Sequence, residues 1–490
     1  MMATSGRTRR GFEGRDSEGA HLWQVQILAG LGGFLAAINN AIMAVALPTV
    51  AEHFHASAGA ASWIVLSYML VTTVLVFVFG RVADMLGRRR MFLGGLAILA
   101  AGGLLAGLAP TVTVLICCLC VEGVGAAALL CNITALITDA FPPARLANAL
   151  GINATIAALA QVLGPVLGGV LTTGLGWRAV FWFNVPIALI GLVWGRLRLR
   201  PTPAQARGES FDFPGAILSM LGIGGLILAL SEGGTVGWTS LPVLIGLALF
   251  VLCLPAFLVL QSRRRHPLLD LSLFTDRARS LAYLSLFLMA MAYYAVVLLM
   301  SLYLQAVAGK SADEAGFHVL YVAVGMAVAS PVAGRLRARF STRALASTGL
   351  GATAAGLFAL ALLIEPRIGE LWLGTCLLVI GAGVGLFMTP NTSSVMSSVN
   401  PERRGIANGV RQTVQNAGWT LSTALSLMIV TMSLPGPLKH AAYAGTVGTL
   451  DPRTLDGLTT GYHWALLILG TICILGLIAS LARTRDQEST

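Results

Sequence analysis

Hydrophobic residues run along this chain in long blocks parted by short polar breaks, never in sustained alternation with polar ones. Residues 94–138 hold one charged side chain, Glu122, and Ala216 to Leu230 hold none. A helix that crosses a bilayer needs about 20 consecutive apolar residues, whereas strands of a membrane barrel would alternate apolar and polar positions. The pattern therefore predicts an all-α membrane protein. Reading each apolar block between charged or Pro/Gly-rich breaks as one span gives fourteen helices. Their centres fall near Phe34, Val71, Leu99, Leu129, Leu159, Ile187, Gly222, Ala248, Met291, Val324, Leu357, Val379, Leu421 and Ile472.

Composition agrees. The chain is 56% hydrophobic and 11% charged, against roughly a quarter charged in a soluble domain. Its net charge of +11 invites a nucleic-acid partner, but the distribution of that charge argues against one. With the N-terminus inside, the inner segments hold 26 of the 32 Lys and Arg, and the outer loops hold five: Arg178, Lys310, Arg367, Lys439 and Arg453. Arg411 sits near or within a span. Cytoplasmic loops carry such an excess, so the basic character is topological and both termini are expected in the cytoplasm. The first 22 residues are polar and Arg-rich and lead into a span too long for a signal-peptide core, so the first helix is expected to be an uncleaved anchor. The seven cysteines fall mostly in apolar blocks, without metal-ligand spacing, and read as small core residues. No metal or cofactor is called for. Gly309-Lys310-Ser311 resembles the end of a phosphate-binding loop, but Leu304 occupies the place of its required earlier Gly.

Two short inner loops look like copies of one another. Gly80 to Arg90 follows the second span and Gly334 to Arg343 the tenth, and both open with Gly and are rich in Arg. Weak internal symmetry of this kind marks chains built from two halves. The expected division is a basic N-terminus at 1–22, a six-helix half at 23–200, two inserted helices at 201–265, a second six-helix half at 266–485, and a tail at 486–490.

These residues resemble the major facilitator superfamily, in particular its fourteen-helix drug:proton antiporter branch. Gly80, Asp84, Gly87, Arg88 and Arg89 match that family's inner-loop signature. Gly151, Gly164, Pro165, Gly168 and Gly169 in the fifth span resemble the antiporter signature, with Ala160 where a Gly is usual. Trp177-Arg178 through Asn184 and Pro186 resembles the run leading into the sixth span. Departures are equally specific. Asn39 stands where the branch carries a first-span Asp, Glu122-Gly123 replaces a fourth-span Gln-Gly, and its Arg is lost. Gln415 stands where a thirteenth-span Arg is common, with Arg411 one turn earlier, and Ala338 replaces the Asp of the second loop copy. The resemblance implies the family fold in a bacterial inner membrane. It also implies proton-coupled export of hydrophobic or cationic small molecules, by a monomer that is not an enzyme.

Each candidate residue has a chemical reading and a plainer one. Asp84 beside Arg88 to Arg90 can form a clasp that holds helix ends together in one state, or can be an ordinary interfacial charge. The fifth-span glycines with Pro165 allow close packing and a bend. Glu122 is the one acidic side chain well inside a span. A charge there is costly and usually faces a polar cavity, which makes it a proton carrier, a cation-binding group, or a structural carboxyl bonded to Asn39, Asn40 or Arg411. Arg411, Gln412, Gln415 and Asn416 form one polar stripe, and Arg411 either binds an anion, pairs with Glu122, or snorkels to the inner surface. Asn132, Thr134, Asn153, Gln161, Asn391 and Thr392 are further polar candidates for a cavity. Tyr293, Tyr294, Phe287 and Phe387 can line a path for a flat cargo or pack as core. Beside drug export stand two alternatives: export of an endogenous lipid or metabolite with altered or absent proton coupling, and a transport-inactive receptor or scaffold.

Overall fold

The fold is given by a computed structural model that describes residues 5–200, 212–233, 236–264, 269, 271–337, 339–365, 369–399, 404–432 and 452–483, with side chains from Leu22 onward except at isolated positions. The expected tail 486–490, residues 433–451 of the long outer loop and Ala338 lie outside the described residues, as does the Asp84 side chain.

The described residues form fifteen α-helices: α1 (Ser5–His53), α2 (Ala58–Leu86), α3 (Arg88–Gly107), α4 (Val112–Ala140), α5 (Pro143–Leu175), α6 (Trp177–Trp182), α7 (Asn184–Arg198), α8 (Phe213–Gly233), α9 (Leu241–Arg263), α10 (Arg277–Ala306), α11 (Ala312–Leu336), α12 (Thr342–Leu363), α13 (Glu370–Ser397), α14 (Arg404–Met432) and α15 (Pro452–Leu481). α6 and α7 together make one span, interrupted at Phe183, because Pro186 cannot donate the backbone hydrogen bond that would bridge back to Trp182. Thirteen spans are long and apolar enough to cross a membrane. The fourteenth is α14, whose Arg411–Asn416 stripe lowers its hydropathy, yet it packs in the bundle against α2, α8, α10 and α15. Each expected span centre falls inside its helix.

α1 to α7 form one six-span group and α10 to α15 the other. The hairpin of α8 and α9 leans through α8 on α2 and α14, astride the line between the groups. The groups meet along α5–α11, α2–α14 and α1–α10. Taking the Arg-rich ends as inner, the polar contacts between groups lie toward the outer side and the middle. Gln305 Nε2 donates to Val45 O at 3.2 Å, Thr173 Oγ1 to Asp313 Oδ1 at 3.2 Å, and the hydroxyls of Thr73 and Thr420 bond at 2.9 Å. At the inner ends Arg88 and Arg89 donate to Ala135 O and Arg196 O within the first group, while Arg337 donates to Ser393 and Arg483 to Ser285 and Asn391 within the second. Among the described residues the groups are thus clasped at the outer side.

α2 and α3 are joined by Gly87 alone, which caps both helices at φ 93°. Only glycine adopts that backbone without strain, so the turn of the inner-loop signature is dictated by its Gly.

Candidate functional site

The site is assembled around α4. Glycines make its seam with α3 tight: a Cβ on Gly102 would meet Glu122 N at 2.8 Å, and one on Gly125 would meet Leu99 N at 2.5 Å. This presses the backbone of Glu122 onto α3 and sends its side chain past Gly103. A Cβ on Gly103 would lie 3.5 Å from Glu122 Oε1 and 3.1 Å from Phe181 O. The carboxyl therefore sits where α3, α4 and the α6–α7 break converge, with Asn39 of α1 and Tyr68 of α2 alongside. Glu122 is 0% exposed, and neither of its oxygens has a hydrogen-bond partner among the described residues. Leaving a buried polar group unsatisfied costs about 1–3 kcal/mol, and more if it is charged. Such a group is expected in a bilayer only where it works. Asn39, Asn40 and Tyr68 line a cavity of about 10 Å³ with Met43, Ile64, Val65 and Leu119, close to the room one water needs.

Arg411 is not brought to Glu122. Its Nη1 donates to Gln415 Oε1 at 2.9 Å and its Nη2 to Gln412 Oε1 at 3.0 Å, and Gln412 Nε2 reaches Asn416 Oδ1 at 3.3 Å. The guanidinium thus lies along its own helix, because i, i+4 neighbours supply the acceptors it needs. Above this stripe, Trp419 stacks on Tyr294 with centroids 4.7 Å apart, and its Nε1 donates to Tyr293 Oη at 3.2 Å. Tyr293 and Tyr294 meet edge to face. Phe387, a candidate path residue, is wholly buried against Gly349 of α12 and belongs to the core. Asn391 donates to Ala282 O, and Asn132 is turned back on Ala128 O of its own helix.

At the inner end Arg88 bonds Asp139 of α4 at 2.5 Å and Ala135 O at 3.1 Å, while Arg89 donates to Arg196 O of α7 at 2.8 Å. The arginines of the signature thus tie α3 to the inner ends of α4 and α7. A Cβ on Gly80 would meet no atom within 4 Å among the described residues. In α5 the signature faces two ways. Gly164 and Gly168 admit α1, since a Cβ would come within 2.2 Å of Ala41 Cβ and 2.7 Å of Ile42 O. Gly169 and Pro165 face α11: a Cβ on Gly169 would lie 2.6 Å from Asp313 Cα, and Pro165 O fits against Gly316. Gly151 is exposed and takes no part in either seam.

Sequence reasoning missed Tyr68, Asp139 and Trp419 altogether, and it quoted Asn184 only within a motif. Asn184 is 0% exposed with both side-chain polar atoms orphaned among the described residues. An Asn followed by a helix-breaking Pro inside an apolar run was the signal that could have found it.

A family model described as "Major Facilitator Superfamily" matches residues 29–423. The multidrug resistance protein Stp of Mycobacterium tuberculosis is 33% identical over 403 residues, 81% of this chain and 74% of that protein. The tetracenomycin C resistance and export protein of Streptomyces glaucescens is 30% identical over 460 residues, 90% of this chain and 85% of that one. Among solved structures, a D-xylose-proton symporter superposes with a TM-score of 0.68 at 14% identity, covering 96% of this chain and 99% of that chain. The helical bundle and these matches agree: the chain belongs to the major facilitator superfamily, among relatives that carry multidrug and antibiotic resistance.

Proposed function

We propose that the chain exports hydrophobic or cationic small molecules in exchange for protons, and that Glu122 carries the proton. The observation that supports this reading is a wholly buried carboxyl within a span, without an ion pair among the described residues and with Asn39 and Tyr68 beside it. A carrier that loads on one side and unloads on the other needs a carboxyl inside the bundle that no fixed cation neutralises and that water can reach in turn. The names of the relatives, a multidrug resistance protein and an export protein, favour outward movement of drug-like cargo. Trp419 and Tyr294 offer such cargo a flat aromatic surface. The charge asymmetry favours a bacterial inner membrane with both termini in the cytoplasm, and the helix order favours the division at 23–200, 201–265 and 266–485. Each bundle holds a complete set of six spans, so one chain suffices.

The test is proton movement in proteoliposomes holding an imposed pH gradient. Lipophilic cations should dissipate the gradient with the native chain and leave it intact with Glu122→Gln. A gradient untouched by cargo that still crosses would leave the transporter standing and remove the coupling, and the endogenous lipid or metabolite exporter would take its place.

A further inference from the structure

We infer that Asn184 is the partner of the protonated Glu122 carboxyl, and that the two close a reciprocal pair of hydrogen bonds past Gly103 of α3 when the proton is loaded. The inference rests on the reading of Glu122 as the proton carrier and adds a positioning residue to it.

The placement follows from the register of α7 on its neighbours. A Cβ on Gly195 would meet Leu93 and Leu28, and one on Gly191 would meet Leu96 and Leu31. Moving back along α7 thus moves forward along α3 and α1, as antiparallel helices require. Asn184 lies two turns before Gly191 on the same buried face, with Ala188 between them. It therefore falls level with Gly103 of α3 and with Ile38 and Asn39 of α1. Contacts at Gly103 fix the level independently, since its Cβ position is 3.1 Å from Phe181 O, 3.5 Å from Val185 Cγ2 and 3.5 Å from Glu122 Oε1. Asn184 stands between Phe181 and Val185 on that junction.

The chemistry of the orphaned atoms is complementary. Glu122 leaves Oε1 and Oε2 unmet, and Asn184 leaves Oδ1 and Nδ2 unmet. A protonated carboxyl has one donor and one carbonyl acceptor, and a carboxamide has the same two functions in a matching plane. One closed pair satisfies all four atoms: Glu122 O–H donates to Asn184 Oδ1, and Asn184 Nδ2–H donates to the other Glu122 oxygen. An ionised carboxylate has no proton to give, so Oδ1 loses its donor and the pair is reduced to one bond. The proton arrives from water as a new O–H bond on Glu122 and leaves to water when that bond breaks.

The groups around Glu122 do not offer a competing charge. Tyr68 faces it from α2 and donates to Ala36 O at 3.2 Å, Asn39 faces it from α1, and Cys118 lies one turn back on α4. α3 presents the backbone of Gly102 and Gly103, and α7 presents Val185. Glu122 makes no ion pair among the described residues. Proton loading would thereby fasten the broken sixth span to α4, and unloading would release it.

Infrared difference spectroscopy of the full chain in lipid, taken between acid and alkaline pH, reads the pair directly. The protonated Glu122 band is identified by its loss in Glu122→Gln. In Asn184→Leu that band should persist but move to the position of a carboxyl without hydrogen bonds, and its titration midpoint should shift. Asn184→Ser, which keeps one hydroxyl, should place the band between the two and is read in place of Asn184→Leu if that variant does not fold. A Glu122 band unmoved by either substitution overturns the pair and leaves the proton carrier intact. The absence of any titrating band lost in Glu122→Gln overturns both.

Discussion

Gly169→Ala should push the protein toward the state that is open on its outer side. In the present state a Cβ on Gly169 would lie 2.6 Å from Ala312 O and 2.6 Å from Asp313 Cα. Both are backbone atoms at the start of α11, so no side-chain rotation relieves the contact. Ordinary van der Waals contact needs about 3.5 Å, and α5 and α11 must therefore part by close to 1 Å. Overpacking of this size costs about 1–3 kcal/mol. Because α5 and α11 belong to opposite six-helix groups, the clash exists only while the groups are clasped at the outer side. Separation removes it, so the cost becomes a bias between two states and not a general loss of stability. A bias of 1–3 kcal/mol changes their ratio by roughly 5- to 150-fold. The assay is the distance between spin labels at Leu175 and Ala308, both exposed at the outer end. Compared with the unsubstituted chain, Gly169→Ala should enrich the longer outer distance by that factor. A distance distribution unchanged in a variant that folds at normal yield would show that the α5–α11 seam does not gate the outer side.

Other consequences are checked more briefly. Gly87→Ala places a side chain at φ 93°, which costs about 1–3 kcal/mol, and should lower the thermal midpoint in detergent with cargo specificity unchanged. Arg88→Ala and Asp139→Ala should each loosen α3 from α4, and because both remove one half-buried pair, the double variant should cost little more than either single one in denaturation midpoints. Asp212 takes hydrogen bonds from Gln261 Nε2 at 2.8 Å and Gly215 N at 3.1 Å, so Asp212→Ala should destabilise by about 1–3 kcal/mol, seen in thermal unfolding, while transport persists. Trp419→Ala removes the stack on Tyr294, worth about 0.5–1.5 kcal/mol, and should weaken binding of planar cationic dyes two- to tenfold by fluorescence titration, with Trp419→Phe retaining most of it.

The spans were legible in the sequence because a bilayer imposes one constraint on all of them: a long apolar run. α14 shows the limit of that signal, since its polar residues lower its hydropathy below that of the other thirteen, although the apolar block around Leu421 still marks it and its contacts with α2, α8, α10 and α15 place it in the bundle. Glu122 was legible for the opposite reason, as a lone carboxyl in an apolar block. What the sequence does not hold is direction. Arg411 is one helical turn from several acceptors on its own helix and turned to them, a choice that competes with Glu122 only through three-dimensional distance. Arg88 pairs with Asp139, a residue at the far end of α4 whose proximity depends on how two antiparallel helices align.

The same reasoning explains why Asn184 carries more weight in the structure than in the sequence. A single Asn in an apolar span reads as a residue that can bond back to its own helix, as Asn132 does to Ala128 O. Asn184 does not take that solution: the turn of α6 lies directly before it, yet neither of its amide atoms bonds back to that turn or to any other described residue. Its place on the buried face of α7 sets it beside α3 and α1, level with Gly103. Glu122 is likewise denied a cation, since Arg411 is turned along α14. Two groups, each stripped of its ordinary partner, share one level of the bundle, and a single proton is what makes their unmet valences match.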